Sequence, residues 1–167
     1  MAEDSQSIGD QSIYEQGFAR VAAVSVPVKL ADADANASEI IDAAAFCATQ
    51  GAALVVFPEM SVTGYSIDDL VEQNELLESV VAAIDRIAAE TAALSPILVV
   101  GAPLLWKGAL YNCAVVLQRG RVIGVTPKSY LPSYREFYDK RYYSTMPPGG
   151  SQGGGKHGFQ KPTQPIV

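Results

Sequence analysis

The strongest constraint on the fold of this chain is an alternation of short apolar runs with longer segments of helical periodicity. Three runs are rich in β-branched and other apolar residues, as is typical of strands: Phe18–Val26, Ala53–Phe57 and Ile97–Gly101. The two segments between them repeat apolar side chains at helical spacing. This β-α-β-α-β order predicts an α/β domain in which these strands are parallel.

Each helical segment has candidate start and stop signals. Asp34 or Asn36 is expected to cap the first helix, which runs through Gln50. For the second, Ser66 is the expected cap, and one long helix is predicted over residues 67–94.

After the third strand the pattern changes to an antiparallel one. Two β-rich runs, Leu110–Gln118 and Val122–Val125, flank Arg119-Gly120-Arg121, which predicts a hairpin. We therefore expect a mixed sheet with helices on one face. Its other face would need a covering layer from further sequence or from a partner.

Composition excludes several classes of function. The net charge is −6 and the basic residues do not cluster, which argues against binding to nucleic acid or to an anionic membrane. Two cysteines cannot form a disulfide framework and suit a reducing cytoplasm. Residues 1–10 are polar and acidic, unlike a signal peptide, and the apolar stretch Ile97–Trp106 is far shorter than the ~20 residues of a membrane span.

The chain divides into three parts. Residues 1–12 are expected to be a flexible arm, 13–145 a partial hydrolase domain, and 146–167 a disordered tail with six glycines and four prolines. The abrupt change of composition after residue 145 suggests a truncated gene product or an altered reading frame. A genuine linker remains an alternative.

Two charged residues follow predicted strands at positions where α/β folds build their sites. Glu59 follows Phe57-Pro58, and a carboxylate partly removed from water there can serve as a general base. Lys128 follows Pro127, and a fixed ammonium can hold the oxyanion of a tetrahedral intermediate. Taken singly, Glu59 is equally compatible with a helix-cap or surface carboxylate, and a lone lysine after a strand is more often a solvated charge.

The segments around these two residues resemble a known superfamily. Val56 to Ser66 (VFPEMSVTGYS) and Pro127 to Tyr138 (PKSYLPSYREFY) are similar to the nitrilase, or carbon–nitrogen hydrolase, superfamily. More narrowly, they resemble the N-terminal glutaminase domain of bacterial glutamine-dependent NAD+ synthetases. The resemblance implies part of a four-layer αββα sandwich.

The resemblance also implies roles for individual residues. Glu59 matches the general base, Lys128 the oxyanion-stabilising lysine and Glu136 a second carboxylate that orients the site. Tyr134 matches a residue that contacts glutamine, and Tyr65 is expected to line the same pocket. The implied reaction releases ammonia from glutamine through a cysteine thioester. It needs no cofactor, whereas the separate synthetase domain uses ATP and Mg and the full-length family forms homo-oligomers.

Neither cysteine of this chain matches the nucleophile of that family. Cys47 lies on the apolar face of the first helix, and Cys113 lies within a strand and precedes Lys128, whereas the nucleophile follows this lysine. We therefore expect the isolated chain to release no glutamate and to associate or aggregate through its uncovered sheet face. A free-standing amidase and a non-catalytic fragment or binding module remain alternatives. His157 is the only histidine, and no metal site is predicted.

Overall fold

The computed structural model describes residues 13–145, in which a five-stranded sheet carries two long helices. The strands are β1 (Val21–Ala23), β2 (Leu54–Val56), β3 (Ile97–Trp106), β4 (Ala109–Gln118) and β5 (Arg121–Pro127). The helices are α1 (Ala33–Thr49), a 3-10 helix (Asp68–Glu72), α2 (Asn74–Glu90) and the short α3 (Asp139–Tyr142). The predicted arm (1–12) and the predicted tail (146–167) lie outside the described residues.

The sheet is mixed, as predicted. Its order is β1-β2-β3-β4-β5, with the first two pairs parallel and the last two antiparallel. The predicted hairpin is confirmed, because Arg119 and Gly120 between β4 and β5 have φ values of 48° and 78°, the left-handed geometry of a tight hairpin turn. Pairing with β4 extends β3 beyond the predicted end at Gly101 to Trp106.

One face of the sheet packs against α1 and α2. Side chains from the helices, such as Ile40, Val80 and Ile87, are fully or almost fully buried in one cluster with strand residues such as Val55 and Val100. Alternate residues of the strands face this core, which is the arrangement expected of a sheet with helices on one side.

The opposite face of the sheet is partly exposed. Val56 follows the buried Val55 and pairs with Val99, yet its exposed fraction is 38%. On the edge strand, Val21 is 64% exposed. An apolar sheet face without a complete covering layer therefore remains within residues 13–145, as the sequence led us to expect.

The cap predicted for the first helix was placed too late in the chain. Asp32 is the N-cap, and its Oδ1 accepts a hydrogen bond from Ala35 N at 3.0 Å. Asp34 lies in the first turn. The Asn36 side chain is buried and bonds instead to the backbone of Lys29 on the preceding loop.

The single long helix predicted over residues 67–94 is wrong. The chain forms the 3-10 helix, passes through Gln73 in an extended conformation (ψ 126°) and only then begins α2. Ser66 is not a cap, since the residue before the 3-10 helix is Ile67. The interruption buries Ile67 and Val71 in a small second cluster while leaving Leu70 41% exposed, so tertiary packing overrides the helical periodicity.

Candidate active site

Glu59 lies in a turn that follows β2 and packs against β3. The Gly101 amide of β3 donates to Ser61 Oγ at 3.0 Å, and the Gly101 carbonyl accepts from Val62 N at 3.0 Å. A Cβ added to Gly101 would lie 2.3 Å from Met60 N, closer than any real contact. Glycine in β3 thus allows the turn to approach the strand, and this contact sets the position of Glu59.

Lys128 is the first residue after β5, at the same edge of the sheet. Its backbone N–H donates to the Asn112 carbonyl of β4 at 2.7 Å, which continues the hairpin pairing by one step. The lysine side chain leaves the strand end at a fixed position. From there it reaches the turn that carries Glu59.

The structure brings Glu59 and Lys128 together and adds a second carboxylate. Lys128 Nζ lies 2.8 Å from Glu59 Oε1 and 2.7 Å from Asp139 Oδ2. The side chain of Asp139 is 4% exposed, that of Lys128 28% and that of Glu59 41%. One ammonium therefore bridges a buried carboxylate and one that is open to solvent.

Two neutral side chains complete the hydrogen bonding of these carboxylates. Asn112 Nδ2 donates to Glu59 Oε1 at 2.6 Å. The Tyr65 hydroxyl donates to Asp139 Oδ1 at 3.0 Å. Each carboxylate thus accepts bonds from Lys128 and from one neutral donor, an arrangement that restricts the rotation of both.

Burial, hydrogen bonds and charges raise two pKa values in this network. Burial raises the pKa of Tyr65 to about 12, with further increases from its bond to Asp139 and from the nearby negative charge. Burial alone would lower the pKa of Lys128, but its bonds to Asp139 and Glu59 outweigh this effect and the net pKa is raised. Lys128 is therefore cationic and Tyr65 is a neutral donor near pH 7.

Two further residues expected in the site, Tyr134 and Glu136, form no hydrogen bond or ion pair with Glu59 or Lys128 in the described structure. Tyr134 is 65% exposed, and its ring lies 5.7 Å from that of Phe137, which in turn contacts Tyr65 edge-on at 6.4 Å. Glu136 is exposed. In this segment the carboxylate that pairs with Lys128 is that of Asp139, three positions further on.

A groove of about 790 Å³ opens beside the charged cluster. It is lined by residues of the segment that follows β5, among them Lys128, Tyr130, Leu131 and Tyr134. Residues 128–134 of this segment line the groove without interruption.

Sequence reasoning missed both Asp139 and Asn112. Asn112 did carry a signal, since it is a polar residue among the apolar residues of β4 and is only 4% exposed. Asp139 begins a helix of four residues, too short to show periodicity. Its proximity to Lys128 arises from tertiary packing.

The two cysteines lie within the fold and not in the groove. Cys47 and Cys113 are both free and buried. Burial raises the pKa of the Cys113 thiol to about 12, so that it is protonated and unreactive at neutral pH. Within residues 13–145 no group of three or more His, Cys, Asp or Glu side chains is arranged to hold a metal ion.

Comparison with known proteins decides the family. Residues 20–162 match the Carbon-nitrogen hydrolase family. The chain belongs to this family. It is also 49% identical over 143 residues to the glutamine-dependent NAD(+) synthetase of Mycobacterium tuberculosis (strain H37Rv), a match that covers 86% of this chain and 21% of that protein. This carbon–nitrogen hydrolase chain thus spans about a fifth of the length of the curated relatives it matches.

Solved structures confirm the nitrilase-like α/β fold. A glutamine-dependent NAD(+) synthetase from Cytophaga hutchinsonii superposes with a TM-score of 0.73 at 24% identity, covering 78% of this chain and 22% of that one. An amidase of the nitrilase superfamily from Nesterenkonia AN1 gives a TM-score of 0.65 at 24% identity, covering 77% of this chain and 48% of that one. In residues 13–145 of this carbon–nitrogen hydrolase, no helix has the length and apolar character needed to cross a bilayer.

Proposed function

We propose that this chain supplies the base and the oxyanion-binding lysine of a glutamine amidohydrolase site, within a larger enzyme that uses the released ammonia to make NAD+. The observation that carries the proposal is the Lys128 ammonium held between Glu59 and Asp139 in a carbon–nitrogen hydrolase. Support for glutamine as the substrate comes from the curated relatives, which are glutamine-dependent NAD(+) synthetases.

The proposed chemistry assigns a separate task to each charged group. Glu59 accepts the proton of a cysteine thiol as the sulfur attacks the side-chain amide carbon of glutamine. Lys128 stabilises the negative charge that develops on the amide oxygen. The proton held by Glu59 then passes to the departing nitrogen, ammonia leaves, and water hydrolyses the thioester to glutamate.

The thiol in this scheme comes from a cysteine of the larger enzyme, because this chain has only Cys47 and Cys113. Cys47 and Cys113 are buried, so neither can reach an amide bound beside Glu59. The proposal therefore predicts that residues 1–167 alone release no glutamate from glutamine. Tyr65 and Tyr134 are proposed to line the glutamine pocket, and Glu136 is proposed as a second carboxylate that orients the site. The two free cysteines suit a cytoplasmic location.

A hybrid enzyme tests the proposal. Residues 20–145 of this chain replace the corresponding segment of the M. tuberculosis synthetase, and glutamate release is measured with ammonia-dependent NAD+ formation as the control for the synthetase part. We expect the hybrid to hydrolyse glutamine and Lys128→Met to lower kcat by about 100-fold to 1000-fold, the cost of losing one oxyanion donor. A hybrid that makes NAD+ from ammonia but never hydrolyses glutamine would contradict the proposal.

A further inference from the structure

Asn112 joins the two halves of the site from a buried position on β4. Its side chain is 4% exposed, and its Nδ2 donates to Glu59 Oε1 at 2.6 Å. Its backbone carbonyl accepts the Lys128 amide proton at 2.7 Å. One strand residue therefore contacts the base through its side chain and the lysine through its backbone.

The two oxygens of Glu59 are in different environments. Oε1 accepts both from Asn112 Nδ2 at 2.6 Å and from Lys128 Nζ at 2.8 Å. Oε2 accepts no hydrogen bond from any residue between 13 and 145. Two donors on Oε1 leave its lone pairs occupied, whereas those of Oε2 are free to take a proton.

We propose that Asn112 is a positioning residue that holds Glu59 by Oε1 and thereby assigns Oε2 as the proton acceptor of the reaction. This inference rests on the proposed function for its catalytic meaning. A neutral amide suits the task, because it donates to the carboxylate without competing for the proton. An aspartate would repel Glu59, and an aliphatic residue would remove one of the two bonds that hold Oε1.

The strand geometry supports this assignment. Successive side chains of a strand point to opposite faces, and the next residue, Cys113, is buried in the main core. Asn112 accordingly points away from that core, toward the turn that carries Glu59. Cys113→Ala is therefore a matched control, since it changes the adjacent position of the same strand without contacting Glu59.

The test uses NMR on the full 167-residue chain. Three-bond couplings of the Glu59 side-chain carbons, measured at one neutral pH, report its rotamer populations in the wild type, Asn112→Leu and Cys113→Ala. The bond from Asn112 Nδ2 fixes the Glu59 carboxylate, so its loss in Asn112→Leu is expected to broaden the rotamer distribution of Glu59. Cys113→Ala is expected to leave the rotamer populations at their wild-type values.

A second variant keeps the size of the side chain, so that its effect on Glu59 cannot be attributed to disruption of the strand. Asn112→Asp places a second carboxylate beside Glu59, and repulsion between the two is expected to move Glu59 out of its wild-type rotamer. Hydrogen exchange at the Lys128 amide, whose acceptor is the main chain of residue 112, should remain slow in this variant.

Two results would overturn the inference. One is a Glu59 side chain in Asn112→Asp that keeps its wild-type rotamer. The other is an equal change of the Glu59 rotamer populations in Asn112→Leu and Cys113→Ala. Because this experiment measures side-chain conformation and not glutamine turnover, a hybrid enzyme that fails to hydrolyse glutamine would refute the proposed function without altering this result.

Discussion

The Lys128 ammonium lies 2.7 Å from the carboxylate of Asp139, which is almost completely buried. A buried carboxylate is costly unless it is paired, and this one has both a cation and the Tyr65 hydroxyl as partners. The pair therefore holds the lysine where Glu59 can also reach it. The four-residue helix α3 contributes to the site because it carries Asp139.

Asp139→Asn is expected to lower the pKa of Lys128. The hydrogen bond to Asp139 is one of the two largest effects that raise the Lys128 pKa in the wild type. Removing the charge of Asp139 is therefore expected to lower this pKa. The measurement is the pH titration of the Lys128 side chain by NMR. Glu136→Gln is the control in the same segment, and an equal effect of both changes would contradict the role of Asp139.

Gly101→Ala is expected to destabilise the fold and to displace the turn that carries Glu59. The added Cβ would lie 2.3 Å from Met60 N, an overpacking of a kind that costs about 1–3 kcal/mol. Gly124→Ala on β5 is the control, because its Cβ would meet Val116 at an ordinary 3.9 Å. The free energy of unfolding in urea separates the two, and equal stabilities would refute the close contact.

Tyr65→Phe is expected to reduce the loss of stability at alkaline pH. Burial raises the Tyr65 pKa from 10.0 to about 12, so the folded state holds the phenolic proton more tightly than the unfolded state. This stabilisation is fully present below pH 10 and is lost as pH rises toward 12. The midpoint of unfolding in urea, measured at pH 9, 10 and 11, tests this pH dependence. Tyr130→Phe is the control, because Tyr130 is highly exposed. An equal decrease of the midpoint with pH in the wild type and in Tyr65→Phe would contradict the prediction.

The sequence was sufficient for the sheet and for one pair of site residues. Glu59 and Lys128 each follow a recognisable strand, and the ends of neighbouring strands meet at one edge of the sheet. The contacts of Asp139 and Asn112 join distant segments, and only Asn112 carried a local signal, as a polar residue within an apolar strand. The predicted helix over 67–94 failed for the same reason, because Val71 packs into a separate small cluster with Ile67 and not into the face that the periodicity indicated.

The isolated chain is expected to self-associate through the exposed face of its sheet. Val21 and Val56 are 64% and 38% exposed there, and apolar patches of this kind tend to be covered. Replacing both by threonine keeps strand propensity and should lower the fraction of oligomer in sedimentation velocity. Phe46→Gln on α1 is the control, since Phe46 is 65% exposed but lies on a helix. If Phe46→Gln reduces association as strongly as the double threonine variant does, the assignment of association to the sheet face is wrong.

The central claim is that Glu59 is the base for attack on glutamine, and the rate of thioester formation tests it most directly. In the hybrid synthetase, rapid quenching and mass spectrometry would follow the glutamyl-enzyme during a single turnover. We expect it to form about 100-fold or more slowly in Glu59→Gln than in the unchanged hybrid, the range that general base catalysis contributes. Equal rates of thioester formation in the two proteins would contradict the account.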